Sequence, residues 1–330
     1  MRKFLIKLIC VTLATASGLA SSANAQWPQT TAHNPWSLEI GAKAMERPGS
    51  RGNTPIITDS ITLEPLFTDD DASDLGVAPA AEVKFNFETQ TGQEYEIRSI
   101  LANWDQSITP ILGPNLSSGL FPTGATISQF EYEHDSDFFS IEIMGRRAVH
   151  PGMVLMFGPR VVSTKDLVRS RTTALVDPGG GLPIVPVTAQ TSTDATNILL
   201  GLQGGFEINR PITNGMYVSS FLRAGGYYNP TEVTDVSETP RTGSTVIDTV
   251  TTTRTKSTGS FLGEVGGRVY YDFIPNCLSG YVGYEANWID GIALAPANVL
   301  AFPAPAIVPA VDTANTVFFH GVTFGLKCTY

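Results

Sequence analysis

FLGEVGGRVYYDF, residues 261–273, decides the fold once it is read on alternate positions. The odd set is Phe261, Gly263, Val265, Gly267, Val269, Tyr271 and Phe273, while the even set carries Glu264, Arg268 and Asp272. A β-strand sends successive side chains to opposite faces, so the segment has one apolar face and one charged face. NILLGLQGGFEI, 197–208, repeats the pattern: Ile198, Leu200, Leu202, Gly204, Phe206 and Ile208 stand against Asn197, Gln203 and Glu207. The period of two recurs along the chain, and no stretch sustains a helical period. Strands are expected near 36–45, 81–89, 95–104, 128–146, 153–162, 197–208, 216–228, 260–273, 281–289 and 317–330.

Between these strands, connections alternate strictly. The short ones are 90–94, 147–152, 209–215 and 274–280; the long ones lie near 46–80, 105–127, 163–196, 229–259 and 290–316. Short turns on one side and long loops on the other mark an up-and-down outer-membrane barrel. The expected fold is therefore an all-β, antiparallel transmembrane β-barrel of about ten strands, or twelve if a further strand hides in a loop. The segment ISQFEYEHDSDFFSIEIMGRR, 127–147, is too long for one crossing, and its apolar phase slips between Phe138 and Phe139. It reads as one strand carrying a bulge.

If the apolar faces meet lipid, the others line the lumen. The bases there are Lys43, Lys84, Arg98, Arg146, Arg160, Arg223, Arg268 and Lys327, and the acids are Glu39, Glu82, Glu88, Glu96, Glu142, Glu207, Glu264, Asp272 and Glu285. A charge at the lipid midplane costs roughly 2–4 kcal/mol, whereas opposite charges on neighbouring strands can pair inside. A soluble sandwich would bury the apolar faces instead, but it would not explain the loop rhythm. Barrels of about 8 strands are filled by their own side chains and those of 16–18 hold an aqueous channel. A ten-stranded barrel with this many lumen charges should conduct little.

The leader supports export. MRKFLIK is basic, LICVTLATA is apolar, and Ala23-Asn24-Ala25 precedes Gln26 in the small-x-small pattern of a cleavage site. Residues 1–25 are read as a removed signal peptide and 26–330 as a single barrel. Residues 292–311 are apolar but hold Pro296, Pro303, Pro305 and Pro309, which break a helix. Loss of Arg2, Lys3 and Lys7 with the leader moves the net charge from −10 to −13, which argues against nucleic acid as a partner. Cys277 and Cys328 fall near the same end of neighbouring strands, so one disulfide is available to them.

The loops offer little chemistry. Asp69, Asp70, Asp71 and Asp74 in DDDASD are a candidate divalent-cation cluster, set against the plainer reading of a solvated acidic loop, because no spaced ligand loop surrounds them. His33, His134, His150 and His320 lack metal spacing. His134, Asp135 and Ser136 resemble a hydrolytic trio only as letters, since neighbours in a strand face opposite ways. Neither a cofactor nor catalysis is expected, although a barrel hydrolase stays among the readings.

Five stretches also carry a resemblance: NILLGLQGGFEI (197–208), FLRAGGYYNP (221–230), FLGEVGGRVYYDF (261–273), GYVGYEANWIDGIALAP (280–296) and FFHGVTFGLKCTY (318–330). Together they resemble the beta-barrel porin family of the planctomycete outer-membrane type, which implies an outer-membrane barrel without establishing transport. The leading expectation is an integral outer-membrane protein, structural or weakly pore-forming, with lipid and the barrel-assembly machinery as partners. A diffusion porin for small solutes and a secreted soluble β-protein are the alternatives. The final strand places Phe324, Leu326 and Tyr330 on its apolar face, and by resemblance to other barrels this aromatic ending is what assembly machinery would read.

Overall fold

The computed structural model describes residues 36–48, 55–59, 62, 64–68, 71–72, 74–118, 126–176, 185–240, 247–299 and 309–330. The leader 1–25 and the acids Asp69 and Asp70 lie outside these residues. The elements are β1 (Trp36–Arg47), β2 (Pro55–Asp59), β3 (Pro65–Thr68), β4 (Gly76–Glu88), β5 (Glu94–Ser118), β6 (Thr126–His150) and β7 (Met153–Val176). They continue with β8 (Val185–Thr213), β9 (Met216–Pro240), β10 (Ile247–Ile274), β11 (Leu278–Ile292), one helical turn α1 (Ala295–Asn298) and β12 (Asn315–Thr329).

Ten strands, β1 and β4 to β12, close into an antiparallel ring in chain order. β12 seals against β1 from Ser37↔Thr329 to Glu46↔His320. At that seam the backbone of Tyr330 exchanges hydrogen bonds with Trp36 at 3.0 and 3.2 Å, and their rings stack with centroids 4.5 Å apart. The two further strands, β2 and β3, do not belong to the ring; they continue the sheet from the upper edge of β5.

The lower end, where the hairpins turn, follows local sequence. Pro151-Gly152 and Asn214-Gly215 make two-residue turns with positive φ at Gly152 (+80°) and Gly215 (+78°), a conformation that glycine adopts without a Cβ clash. The upper end differs from the expectation. β5 to β10 run for 24 to 29 residues, whereas a tilted crossing needs about 9–11. Most of 105–127, 163–196 and 229–259 is therefore strand, including the threonine-rich run from Ile247 to Gly259.

No bulge interrupts the pairing at Phe138 and Phe139; the register shift in this segment lies at its upper end, between Ile127 and Gln129. β6 pairs with β7 without interruption from Gln129↔Thr173 to Glu142↔Arg160; Phe138 points inward, fully buried, and Phe139 outward. The apolar phase slips there because the two sides of the wall exchange character. In the lower storey the outward face of β8 is Ile198, Leu200 and Leu202, and that of β10 is Phe261, Val265, Val269, Tyr271 and Phe273, all exposed. Higher up, the same faces carry Asp194 and Thr196 on β8 and Thr251, Thr253, Thr255 and Ser257 on β10. Inside, the exchange runs the other way: charges fill the lower storey, and Ile100, Trp104, Phe138, Leu199, Leu262 and Phe319 pack above them. A second apolar layer of Phe67, Ile127, Phe130, Val168 and Val233 lies higher still, with Ala72 and Val311 contributed by the connections.

Candidate functional site: the ion-paired barrel interior

Alternation turns one side chain in two toward the axis, and in the lower storey these are the charged ones. Seven buried carboxylates (Glu39, Glu82, Glu96, Glu142, Glu207, Glu264, Glu285) meet eight cations (Lys43, Lys84, Arg98, Arg146, Arg160, Arg223, Arg268, Lys327) in one network, which the more exposed Glu94 joins through Arg146. Arg98 on β5 sits at its centre. Its Nε lies 2.5 Å from Glu82, Nη2 lies 2.9 Å from Glu285 across the lumen, and Nη1 donates to Glu264. Arg160 reaches the other oxygen of Glu264 at 2.9 Å and Ser140 at 2.8 Å. Arg223 donates to Glu96 at 2.7 Å and to Glu142.

Toward the lower rim, Arg146 joins Glu96 (2.6 Å) to Glu207 (3.1 Å). Arg268 joins Glu39 (3.1 Å) to Glu82 (2.8 Å) and donates to Glu285. Lys43 bridges Glu82 at 3.0 Å and Glu285. Lys84 lies 3.0 Å and Lys327 3.8 Å from Glu39, and the Lys327 ammonium stands over the rings of Tyr217 and Tyr270. Five of the eight cations are arginines, whose planar fork holds two carboxylates at once.

The charges come together because small residues give way to large ones. Gly41 and Gly325 face each other across the seam, and a Cβ at either would meet the Tyr281 hydroxyl, 2.7 Å from the Gly325 position. Tyr281 thereby lies over β12 and β1 on the inner wall, with Arg268 4.9 Å above its ring. Gln203, Tyr217, Tyr270 and Tyr281 share the parity of the charged residues on their strands, so the same rule locates them. Glu88 and Asp272 lie at the lower rim, half-buried, where Asp272 accepts from Ser279 at 2.6 Å.

A second polar cluster is buried in the upper storey. Arg47, at the top of β1, grips both oxygens of Asp166 on β7 at 2.6 and 2.9 Å and donates to Ser136; Ser136 donates to Asp166 at 2.6 Å. His134 Nε2 lies 3.7 Å from Asp166, while His134 Nδ1 (2.8 Å) and the Tyr132 hydroxyl (3.0 Å) both bond the Ala72 carbonyl. Burial alone would raise the Asp166 carboxyl, but the charge and hydrogen bonds of Arg47, with His134, hold it well below the usual carboxylate range. Burial pushes the Tyr132 hydroxyl upward. His134 and Ser136 do share a face, yet the carboxylate between them is Asp166, not Asp135, and Arg47 already occupies it. The cluster holds Ala72 over the interior of the upper storey.

Cys277 and Cys328 come together at the lower rim, where the Thr329 amide donates to the Cys277 carbonyl at 2.9 Å. They are free thiols: Cys328 pairs with Leu278, so Cys277 is one position out of register, and one position reverses the side chain. Of the acidic cluster, Asp71 accepts from Thr68 at 2.9 and 2.8 Å and Asp74 accepts from the Gly76 amide at 2.9 Å; both serve as turn caps. Among the described residues no group of three His, Cys, Asp or Glu side chains could hold a metal. Phe324, Leu326 and Tyr330 are exposed on the outer face of β12 and the seam.

No family model and no curated sequence matches the chain. Among solved structures it is similar to the outer membrane protease OmpT of Escherichia coli, at 11% identity and TM-score 0.40, covering 92% of this chain and 99% of that one. It is also similar to the translocator domain of the autotransporter NalP of Neisseria meningitidis, at 9% identity and TM-score 0.35, covering 98% and 97%. A major outer membrane protein of Thermus thermophilus matches at 10% identity and TM-score 0.31, covering 89% and 99%. Likeness of this size transfers neither an activity nor a family.

Proposed function

We propose that this chain is an integral outer-membrane barrel whose lumen is held shut by its own side chains, serving as a structural and surface-presenting element with at most a narrow, weakly conducting path. The observation that carries the reading is the stacked obstruction of the interior: an ion-paired layer with Arg98 about 1% exposed, and an apolar layer of Ile100, Phe138 and Leu262 directly above it. Membrane placement rests on the outer belt. Exposed Leu200, Leu202, Phe261, Val265, Val282 and Phe324 form a band that water would penalise and hydrocarbon would not. A closed ring leaves no unpaired edge within that band.

Conductance of purified protein in planar bilayers tests the closure. We expect no steady steps; large, steady single-channel steps would refute the reading in favour of a diffusion porin. Membrane fractionation with heat-modifiable gel migration tests the placement, and recovery as a soluble protein would overturn it. Phe324, Leu326 and Tyr330 are proposed as the strand read during assembly. Tyr330→Ala should lower the folded, membrane-inserted fraction, and normal insertion would withdraw that role.

A further inference from the structure

We propose that the upper edge of β10, residues 249–259, docks an extended peptide as an added antiparallel strand and sets a peptide carboxylate over Lys256. The inference does not depend on whether the barrel conducts.

The upper storey is a palisade of six tall strands, β5 to β10; above the four shorter ones, β2 and β3 are the strands found among the described residues. β10 pairs with β11 only up to Phe261↔Asp290, yet continues to Ile247 against β9. On the other flank, β5 outlasts its pairing with β4, which ends at Ala80↔Ala102. Both flanks of the palisade present strand edges, which offer rows of donors and acceptors for another strand. The β5 flank is capped near its top by the chain itself: Ile57–Asp59 of β2 pair antiparallel with Leu116–Ser118, and β3 extends that patch. No strand among the described residues pairs with the β10 flank above Phe261, nor does any backbone hydrogen bond outside the sheet reach it.

The sequence of this flank, IDTVTTTRTKSTG (247–259), holds no proline, and its register against β9 runs without a bulge. Of the usual guards of an edge, proline and a bulge are missing, while Arg254 and Lys256 supply charge. Alternate residues turn their N–H and C=O away from β9. Arg254 is turned inward onto Asp235 (2.7 Å) and the carbonyls of Asn298 (2.7 Å) and Pro309 (3.3 Å). Lys256 is different: it is exposed, donates to the Val311 carbonyl at 3.1 Å, and meets no carboxylate among the described residues. An ammonium has three donors, so capacity remains for an acid. Beside it opens a cleft of about 440 Å³ between residues 252–256 and 309–311.

An edge calls for a strand and an unanswered cation calls for an acid, so the occupant that fits is an extended peptide with a carboxylate side chain. A second copy fits poorly. Two barrels standing side by side would present these edges running parallel; parallel pairing offsets the donors of one strand from those of the other, so identical edges related by a two-fold axis cannot both be satisfied.

The test uses the full barrel in detergent micelles and two end-blocked octapeptides alternating Thr and Val, one with a central Glu and one with a central Lys. We expect the Glu peptide to bind about tenfold more tightly by fluorescence anisotropy, the worth of one charge-assisted hydrogen bond, and to slow amide exchange within 249–259. Lys256→Glu should reverse the preference while leaving exchange elsewhere unchanged. Equal binding of the two peptides, absence of binding up to about 1 mM, or protection confined to other strands would overturn the proposal.

Discussion

The lower and upper storeys of the barrel use the same strands and the same period of two but partition their residues in opposite ways. Below, β10 shows Phe261, Val265 and Val269 outward and keeps Glu264 and Arg268 within. Above, β6 shows Glu131, Glu133 and Asp135 outward, facing Arg169 and Arg171 of β7, and buries Phe130, Tyr132 and Phe138. A strand does not choose which face is apolar; the medium on each side of the wall does. The level of exchange, near Leu101, Phe139, Val161 and Ile198, is where the outer medium changes from hydrocarbon to water on the proposed placement.

The largest test removes the centre of the lower network. Arg98→Met strips a cation from Glu82, Glu264 and Glu285 together, and breaking buried pairs costs about 3–5 kcal/mol. The loss in urea unfolding should lie at the upper end of that range; a change below about 1 kcal/mol would mean the network does not hold the barrel. Next, Phe138→Ala and Phe139→Ala set neighbours on opposite faces against each other. Phe138 packs on Phe319 with ring centroids 5.4 Å apart, so its truncation should cost about 3–5 kcal/mol, and that of Phe139 under about 1 kcal/mol. Similar values would restore the bulged register.

Arg47→Met should destabilise the upper storey by about 3 kcal/mol at neutral pH by leaving Asp166 unpaired. The sign with pH follows from Asp166, whose folded value is depressed. Its contribution is present above the ordinary carboxylate range and is lost only as pH falls far below it. Wild-type resistance to proteolysis at Ala72 should therefore persist at about pH 4, whereas Arg47→Met should recover resistance on acidification as Asp166 takes up a proton. Loss of wild-type resistance at that pH would disconnect Ala72 from the ion pair.

The boundary itself is probed last. Leu202→Arg places a charge in the outer belt and should cost about 2 kcal/mol. Thr253→Arg, on the outer face higher up, should change stability by no more than about 0.5 kcal/mol. Equal effects would erase the distinction between the two storeys.

Much of the lower storey was legible from parity alone. Arg98, Glu264, Arg268 and Glu285 occupy the charged positions of amphipathic strands, so their sharing of an interior follows from ring closure. Tyr270 and Tyr281 share that parity but escaped notice because an aromatic residue fits either face. The upper cluster was hidden for another reason. Arg47, Ser136 and Asp166 come from β1, β6 and β7, separated by up to 119 residues, and no local period links them. His134, Asp135 and Ser136 suggested contact by adjacency, yet adjacency in a strand separates side chains; the true neighbour, Asp166, arrives through the β6–β7 register. Cys277 and Cys328 meet at the lower rim as the strand spacing suggests, one position out of register because the turn from Pro275 to Cys277 has three residues.

What the amino-acid sequence determined by itself was the period, the faces, the hairpin turns at Pro151-Gly152 and Asn214-Gly215, and with them an antiparallel ring of ten strands. These follow from steric rules acting over two to four residues. Only the tertiary structure decided how far the strands rise, where the two faces exchange character, and which acid meets which base. Those outcomes depend on the register between strands and on what fills the space across the ring. Register reverses a side chain with every single-residue shift, and the space across the ring is filled by residues remote in the chain.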